Sequence, residues 1–122
     1  MKQITKEFAL NFARTWIQGA NARDFEGVLA LYSDEVEASS PYVRMIMNEP
    51  TGRLVSKSRL REYWTATLTK RAELKFELLD VFAGADSVAI HYVNRGQRAL
   101  EVFYFNDAGL ICRSDAHYLE QA

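Results

Sequence analysis

The chain has 122 residues, and its 15 Lys plus Arg against 16 Asp plus Glu leave a net charge of -1. Size scaling hides about two-thirds of the unfolded surface, so one domain spanning the chain can build a core without disulfides or a metal. The charge balance argues against nucleic acid as a partner, no apolar run approaches the roughly 18 residues of a membrane span, and the lone Cys112 suits a reducing cytoplasm.

The polar start, Met1 to Lys6, leads into an amphipathic pattern, so no signal peptide is expected. Thr5 is placed to cap a helix in which Phe8, Phe12 and Trp16 recur every four residues. Gly19 and Asn21-Ala22-Arg23 end it, and Asp24 caps a shorter helix with the stripe Phe25, Val28, Leu29, Tyr32. Beyond Ser33-Asp34-Glu35 the apolar period falls to two: Val36, Ala38 and Ser40 predict a short strand stopped by Pro41. Tyr42 to Leu54 reads as a loop covering something apolar, because Met45, Ile46 and Met47 precede the turn Glu49-Pro50-Thr51-Gly52. A third helix starts near Ser56 or Ser58 and presents Leu60, Tyr63, Trp64 and Leu68 on one face.

From residue 74 the chain alternates and is rich in β-branched and aromatic residues, predicting strands over 74–83, 87–94, 98–106 and 110–119. Asn94-Arg95-Gly96 and Asp107-Ala108-Gly109 each put Gly where a type I turn with a G1 bulge needs positive φ, so both breaks are expected to be hairpins. Three helices followed by an antiparallel meander predict an α+β domain, with a strongly curved sheet wrapped around the helices. Such a sheet can enclose a cavity.

The run from Trp16 to Val36, followed by Ser40-Pro41, resembles the opening of the SnoaL-like and steroid delta-isomerase-like families of the nuclear transport factor 2-like superfamily. Leu60-Arg61-Glu62-Tyr63-Trp64 and Phe103 to Ile111 extend the match over nearly the whole chain. The resemblance implies a cone-shaped α+β barrel (cystatin-like), a homodimer, and either catalysis or plain binding, since one fold hosts both. The isomerases carry a Tyr where this chain has Trp16, and their general-base Asp falls on Ser40. A second acid position carries Glu101, and the last-strand Asp of cyclases and epoxide hydrolases falls on Ala116, with Asp115 facing the other way.

Glu101 shares a strand face with Ala99, Phe103 and Phe105, where desolvation would raise its pKa toward neutrality, as a general acid requires. The alternative is an edge or interface Glu paired with Arg98 or Arg113. If the Asn94-Arg95-Gly96 turn is a three-residue loop, His91 lies diagonal to Glu101 and can serve as a base. A two-residue loop turns His91 to the opposite face. Asp115 and His117 share a face, but two His without a ligand spacing do not make a metal site. Asp34 and Glu35 read as a helix-exit turn, Arg53, Lys57, Arg59 and Arg61 as a solvated helix face, and Cys112 as small apolar filling.

The expectation is a pocket lined by Trp16, Phe12, Tyr32, Ser40, Tyr63, Trp64, Phe103, Ser114, Ala116 and Tyr118, taking a small apolar or aromatic ligand. Trp16 and Ser40 would offer it hydrogen bonds. The chemistry would be cofactor-free and metal-free isomerisation, hydration or ring closure, with Glu101 as proton donor or acceptor and His91 as base or orienter. The alternative is a non-catalytic binding or assembly module. A dimer would cover the apolar face of Leu100, Val102 and Tyr104.

Overall fold

A computed structural model describes residues 3–68 and 73–119, so both ends of the expected domain lie just outside the described residues. The elements are α1 (Lys6–Asn21), α2 (Phe25–Leu29), β1 (Tyr32–Ser39), α3 (Pro41–Ile46), β2 (Arg53–Val55), α4 (Lys57–Leu68), β3 (Phe76–Ala83), β4 (Ser87–Asn94), β5 (Gln97–Phe105) and β6 (Ile111–Tyr118). The strands form one curved sheet in the order β2-β1-β6-β5-β4-β3, with β2 and β3 as open edges. Every pairing is antiparallel except that of β1 with β6, which is parallel.

The two helix caps act as written, though the second helix ends at Leu29 and Tyr32 of its expected stripe opens β1. Thr5 Oγ1 accepts from the Phe8 N–H at 2.9 Å, and Asp24 Oδ1 accepts from the Gly27 N–H at 3.1 Å, each satisfying a donor that a helix start leaves open. Gly19 lies inside α1 rather than ending it: a Cβ there would collide with Val28 of α2, so glycine permits the close approach of the two helices. Arg23, at φ 60°, makes the left-handed exit instead. The Asn21 side chain then exchanges hydrogen bonds of 2.7 and 2.8 Å with the Phe76 backbone, tying the end of α1 to the edge strand β3.

The concave face of the sheet receives α1. Phe12, Ala13, Trp16 and Ile17 are buried against Val88, Ile90, Phe103 and Phe105. Phe103 takes Phe12 and Trp16 edge-to-face, with ring centroids 5.0 and 5.4 Å apart, the arrangement that ring quadrupoles prefer.

Besides Ser33 to Glu35, which lie inside β1 and form no exit turn, two local expectations change. Residues 42–54 are not one loop: Ser40 Oγ caps α3, with Pro41 in its first turn, and β2 then pairs with β1. Pro41 both stops the strand and starts the helix, because its fixed φ suits the first helical position and its missing N–H costs nothing there. The second change is the turn between β4 and β5. Asn94 pairs with Gln97, so the loop has two residues, Arg95 at φ 53° and Gly96 at φ 82°. Two consecutive positive φ values make a type I′ turn, whose twist matches that of the strands. The turn at Asn106–Leu110 does carry the expected positive φ at Gly109.

Candidate functional site

The two-residue turn decides which side chains meet. It pairs Ile90 with Glu101 and His91 with Leu100, so Glu101 faces the helices and His91 faces the convex side. The expected His91–Glu101 dyad does not form. His91 Nδ1 instead lies 2.9 Å from Asp80 Oδ2, and Arg98 Nε donates to His91 Nε2 at 3.0 Å. Tyr92, which sequence reasoning passed over, takes the vacated place and donates its hydroxyl hydrogen to Glu101 Oε1 at 3.3 Å. The signal that could have found it is the turn itself: with two loop residues, Tyr92 shares the face of Glu101.

Glu101 borders a cavity of about 510 Å³ between the helices and the concave face. Of the expected lining, Trp16, Ser40, Tyr63, Trp64, Ser114, Ala116 and Tyr118 border it. Three residues do not. Tyr32 and Phe103 are sealed in the core beneath it, and Phe12 borders a separate cleft of about 210 Å³ with Phe8 and Phe105. The apolar wall is completed by Phe25, Val28, Leu54, Leu60, Leu68 and Phe76, and by Val43, Met45 and Ile46 of α3. Tyr42, Asn94, Arg95 and Gln97, unforeseen as site residues, add polar groups. Gln97 Nε2 donates to the Tyr42 hydroxyl at 3.0 Å, linking α3 to the start of β5.

Hydrogen bonding alters two further expectations. The Trp16 indole N–H is committed to the Tyr32 hydroxyl at 2.9 Å, so Trp16 offers a ligand its ring face and not its donor. Ser40 Oγ already accepts from the Tyr42 N–H at 3.2 Å and from the Tyr63 hydroxyl at 3.3 Å. Asp115 and His117 lie on the convex side, as His91 does, while Glu101 lies on the concave side, so these four do not converge. Among the described residues no cluster of three metal-ligating side chains occurs. Cys112 is partly buried, with its thiol 3.4 Å from the Tyr104 carbonyl.

The electrostatics follow from these neighbours. Burial pushes the Glu101 carboxyl up to about 7; the Tyr92 hydrogen bond opposes this and the Asp115 charge adds to it. Burial first, and the nearby Glu101 charge second, raise Tyr92 and Tyr118. Burial also raises Tyr63, and its hydrogen bond with Ser40 opposes the shift. All three stay neutral hydroxyls around the Glu101 carboxyl.

Residues 13–113 match the family model of the SnoaL-like domain. The chain belongs to the SnoaL-like family. A SnoaL-like protein of unknown function from Burkholderia thailandensis E264 is 42% identical, with 97% of this chain and 99% of that one covered and a TM-score of 0.92. A Mycobacterium tuberculosis protein solved in complex with estradiol-17β-hemisuccinate is 20% identical over 91% of this chain and 93% of its own, with a TM-score of 0.72. A computationally designed 17-OHP binder is 21% identical over 91% and 90%, with a TM-score of 0.69. At those identities the last two share the fold alone. No curated protein matches the chain. This SnoaL-like cavity holds Ser40 and Ala116 where the family resemblance puts catalytic acids, and Ala116 pairs directly with Glu101 across the β5–β6 ladder. Among the described residues lining it, Glu101 is the one carboxylate and Arg95 the one cation.

Proposed function

We propose that the protein binds a small apolar, cyclic ligand in this cavity and exchanges a proton with it through Glu101, without a cofactor. The observation that carries the reading is a buried carboxyl with a pKa of about 7, held by a tyrosine hydroxyl at the wall of a ligand-sized cavity. The volume lies within the roughly 300–1,000 Å³ usual for small-molecule sites. A carboxyl poised near neutrality can give and take a proton with little driving-force penalty, which suits isomerisation, hydration or ring closure.

A second reading is favoured by one specific feature. Ser40 and Ala116 supply no partner acid or base, so the cavity would bind without turning over. One experiment separates the two. Estradiol-17β-hemisuccinate and 17-OHP, taken from proteins sharing the fold, are tested by calorimetry and then for product formation. Catalysis predicts turnover that Glu101→Gln abolishes while binding persists. Binding by both forms without turnover favours the non-catalytic reading, and no binding by either rejects both. The dimer expected from the sequence would use the convex face, where Leu100 and Phe82 are exposed; light scattering showing a clean monomer at micromolar concentration overturns it.

A further inference from the structure

The two charged residues that line the cavity stand at opposite ends of it. Glu101 lies deep, beside Tyr92. Arg95 stands at the mouth: its side chain is 63% exposed, and the lining residues Met45 and Ile46 are exposed as well. Glu101 follows Gln97, the partner of Asn94 at the turn, by four residues, which at about 3.4 Å each puts it roughly 13 Å from the turn. Most of the remaining wall is aromatic or aliphatic, with Trp16, Val28, Leu60, Trp64 and Phe76 among it. Arg95 is also an unexpected occupant of its turn. At φ 53° it fills the first central position of a type I′ turn, where Asn, Asp or Gly relieves the strain that a long side chain carries. Its guanidinium has five N–H donors, and Nη1 gives one to Glu73 Oε1 at 3.2 Å. Glu73 is itself half exposed, so that pair is weak and a second anion can share or replace it.

We propose that the cavity takes an elongated apolar ligand with a carboxylate at one end, which Arg95 receives at the mouth while the apolar body reaches inward toward Glu101. This rests on the reading of the cavity as a small-molecule site and names the class of molecule that fills it. Charge fixes the orientation. At the deep end an anion would lose its water, meet the like charge of the Glu101 carboxylate and find no cation among the described lining residues. At the mouth it keeps part of its hydration and gains a guanidinium whose planar fork matches two carboxylate oxygens. Asn94 strengthens the same end. Its Oδ1 accepts from the Lys75 N–H at 3.1 Å, and among the described residues nothing accepts from its Nδ2, so that amide has hydrogens to give a ligand.

The test compares pyrenebutyrate, its primary amide and pyrenebutyltrimethylammonium, which share an apolar body and differ in the charge at one end, with binding read from pyrene fluorescence. The wild type is expected to hold the carboxylate about fivefold tighter than the amide and the cation weakest, with the preference shrinking at high salt. Arg95→Asn should abolish the preference and bind the amide as the wild type does. Asparagine suits the left-handed turn position, so the thermal midpoint of this variant is expected at or above the wild-type value, and lost anion binding is then not lost fold. Glu73→Gln, which removes the competing acid, should tighten carboxylate binding. Equal binding of carboxylate and amide by the wild type overturns the proposal while sparing the cavity as a ligand site. So does a carboxylate preference that ignores Arg95→Asn and grows in Glu101→Gln, because the acid then sits at the deep end. Failure of all three probes to bind overturns both.

Discussion

Glu101 and Asp115 sit on adjacent strands, one step apart in register, and their carboxyls are driven in opposite directions. Glu101 points into the concave side, where burial dominates and its one hydrogen-bond donor is a neutral tyrosine, so its pKa rises. Asp115 points to the convex side. Partial burial works against its charge, but hydrogen bonds from Ser39 at 2.5 Å and Arg113 at 2.9 Å, with Arg53 close by, hold it below the ordinary aspartate range. One residue of strand parity thus separates a carboxyl that burial pushes toward neutrality from one locked as a structural ion. His91 is likewise held on the convex side, clamped between Asp80 and Arg98.

The same parity governs stability, which gives the largest predicted contrast. Phe103 is sealed on the concave side, and Phe103→Ala should cost about 3–5 kcal/mol in urea denaturation. Its neighbour Tyr104 lies on the convex side beneath Arg113, and Tyr104→Ala should cost under about 1.5 kcal/mol. Equal costs would break the comparison.

The Glu101 carboxyl sets the next effect. Its folded pKa lies above the unfolded value, so its contribution is fully present below about pH 4.5 and is lost as pH rises through 7. The shift from 4.5 to about 7 corresponds to roughly 3 kcal/mol. Glu101→Gln should therefore be more stable than wild type above pH 7 by up to that amount, with the difference shrinking toward pH 4.5. A pH-independent difference would show that the carboxyl is not desolvated.

Asp115 has the opposite sign. Its folded pKa is depressed, so its contribution is present above the ordinary aspartate pKa and is lost as pH falls through the folded value. Asp115→Asn should cost about 1 kcal/mol at pH 7 and less in acid, read from urea midpoints at pH 7 and pH 3. The smallest effect is expected at His91. His91→Ala should leave ligand binding and any turnover unchanged, with a stability cost under about 1 kcal/mol. A loss of binding there would place the ligand on the wrong side of the sheet.

Much of this architecture is written locally. The caps Thr5 and Asp24, the four-residue period of Phe8, Phe12 and Trp16, and the alternation after residue 74 each dictate a conformation through neighbours a few residues away. They were legible for that reason, and so was the apolar setting of Glu101, which follows from its own strand. Ser40-Pro41 was legible only in half: a proline that ends a strand and one that begins a helix look alike until the helix has something to pack on.

The position of His91, the arrival of Tyr92 beside Glu101, and the spending of the Trp16 donor on Tyr32 were decided by tertiary structure. The Asn94–Gln97 turn allows two loop lengths that differ locally by little, since Arg95 must accept a left-handed conformation in the shorter one. Burying Ile90 and Tyr92 while leaving His91 in its ionic clamp settles the choice, and that burial exists only once the sheet has closed over α1. Local signals determined which elements form and that a carboxyl lies among aromatics. Packing across the sheet determined which groups that carboxyl meets, because side-chain parity is a property of the paired strands and not of either one alone.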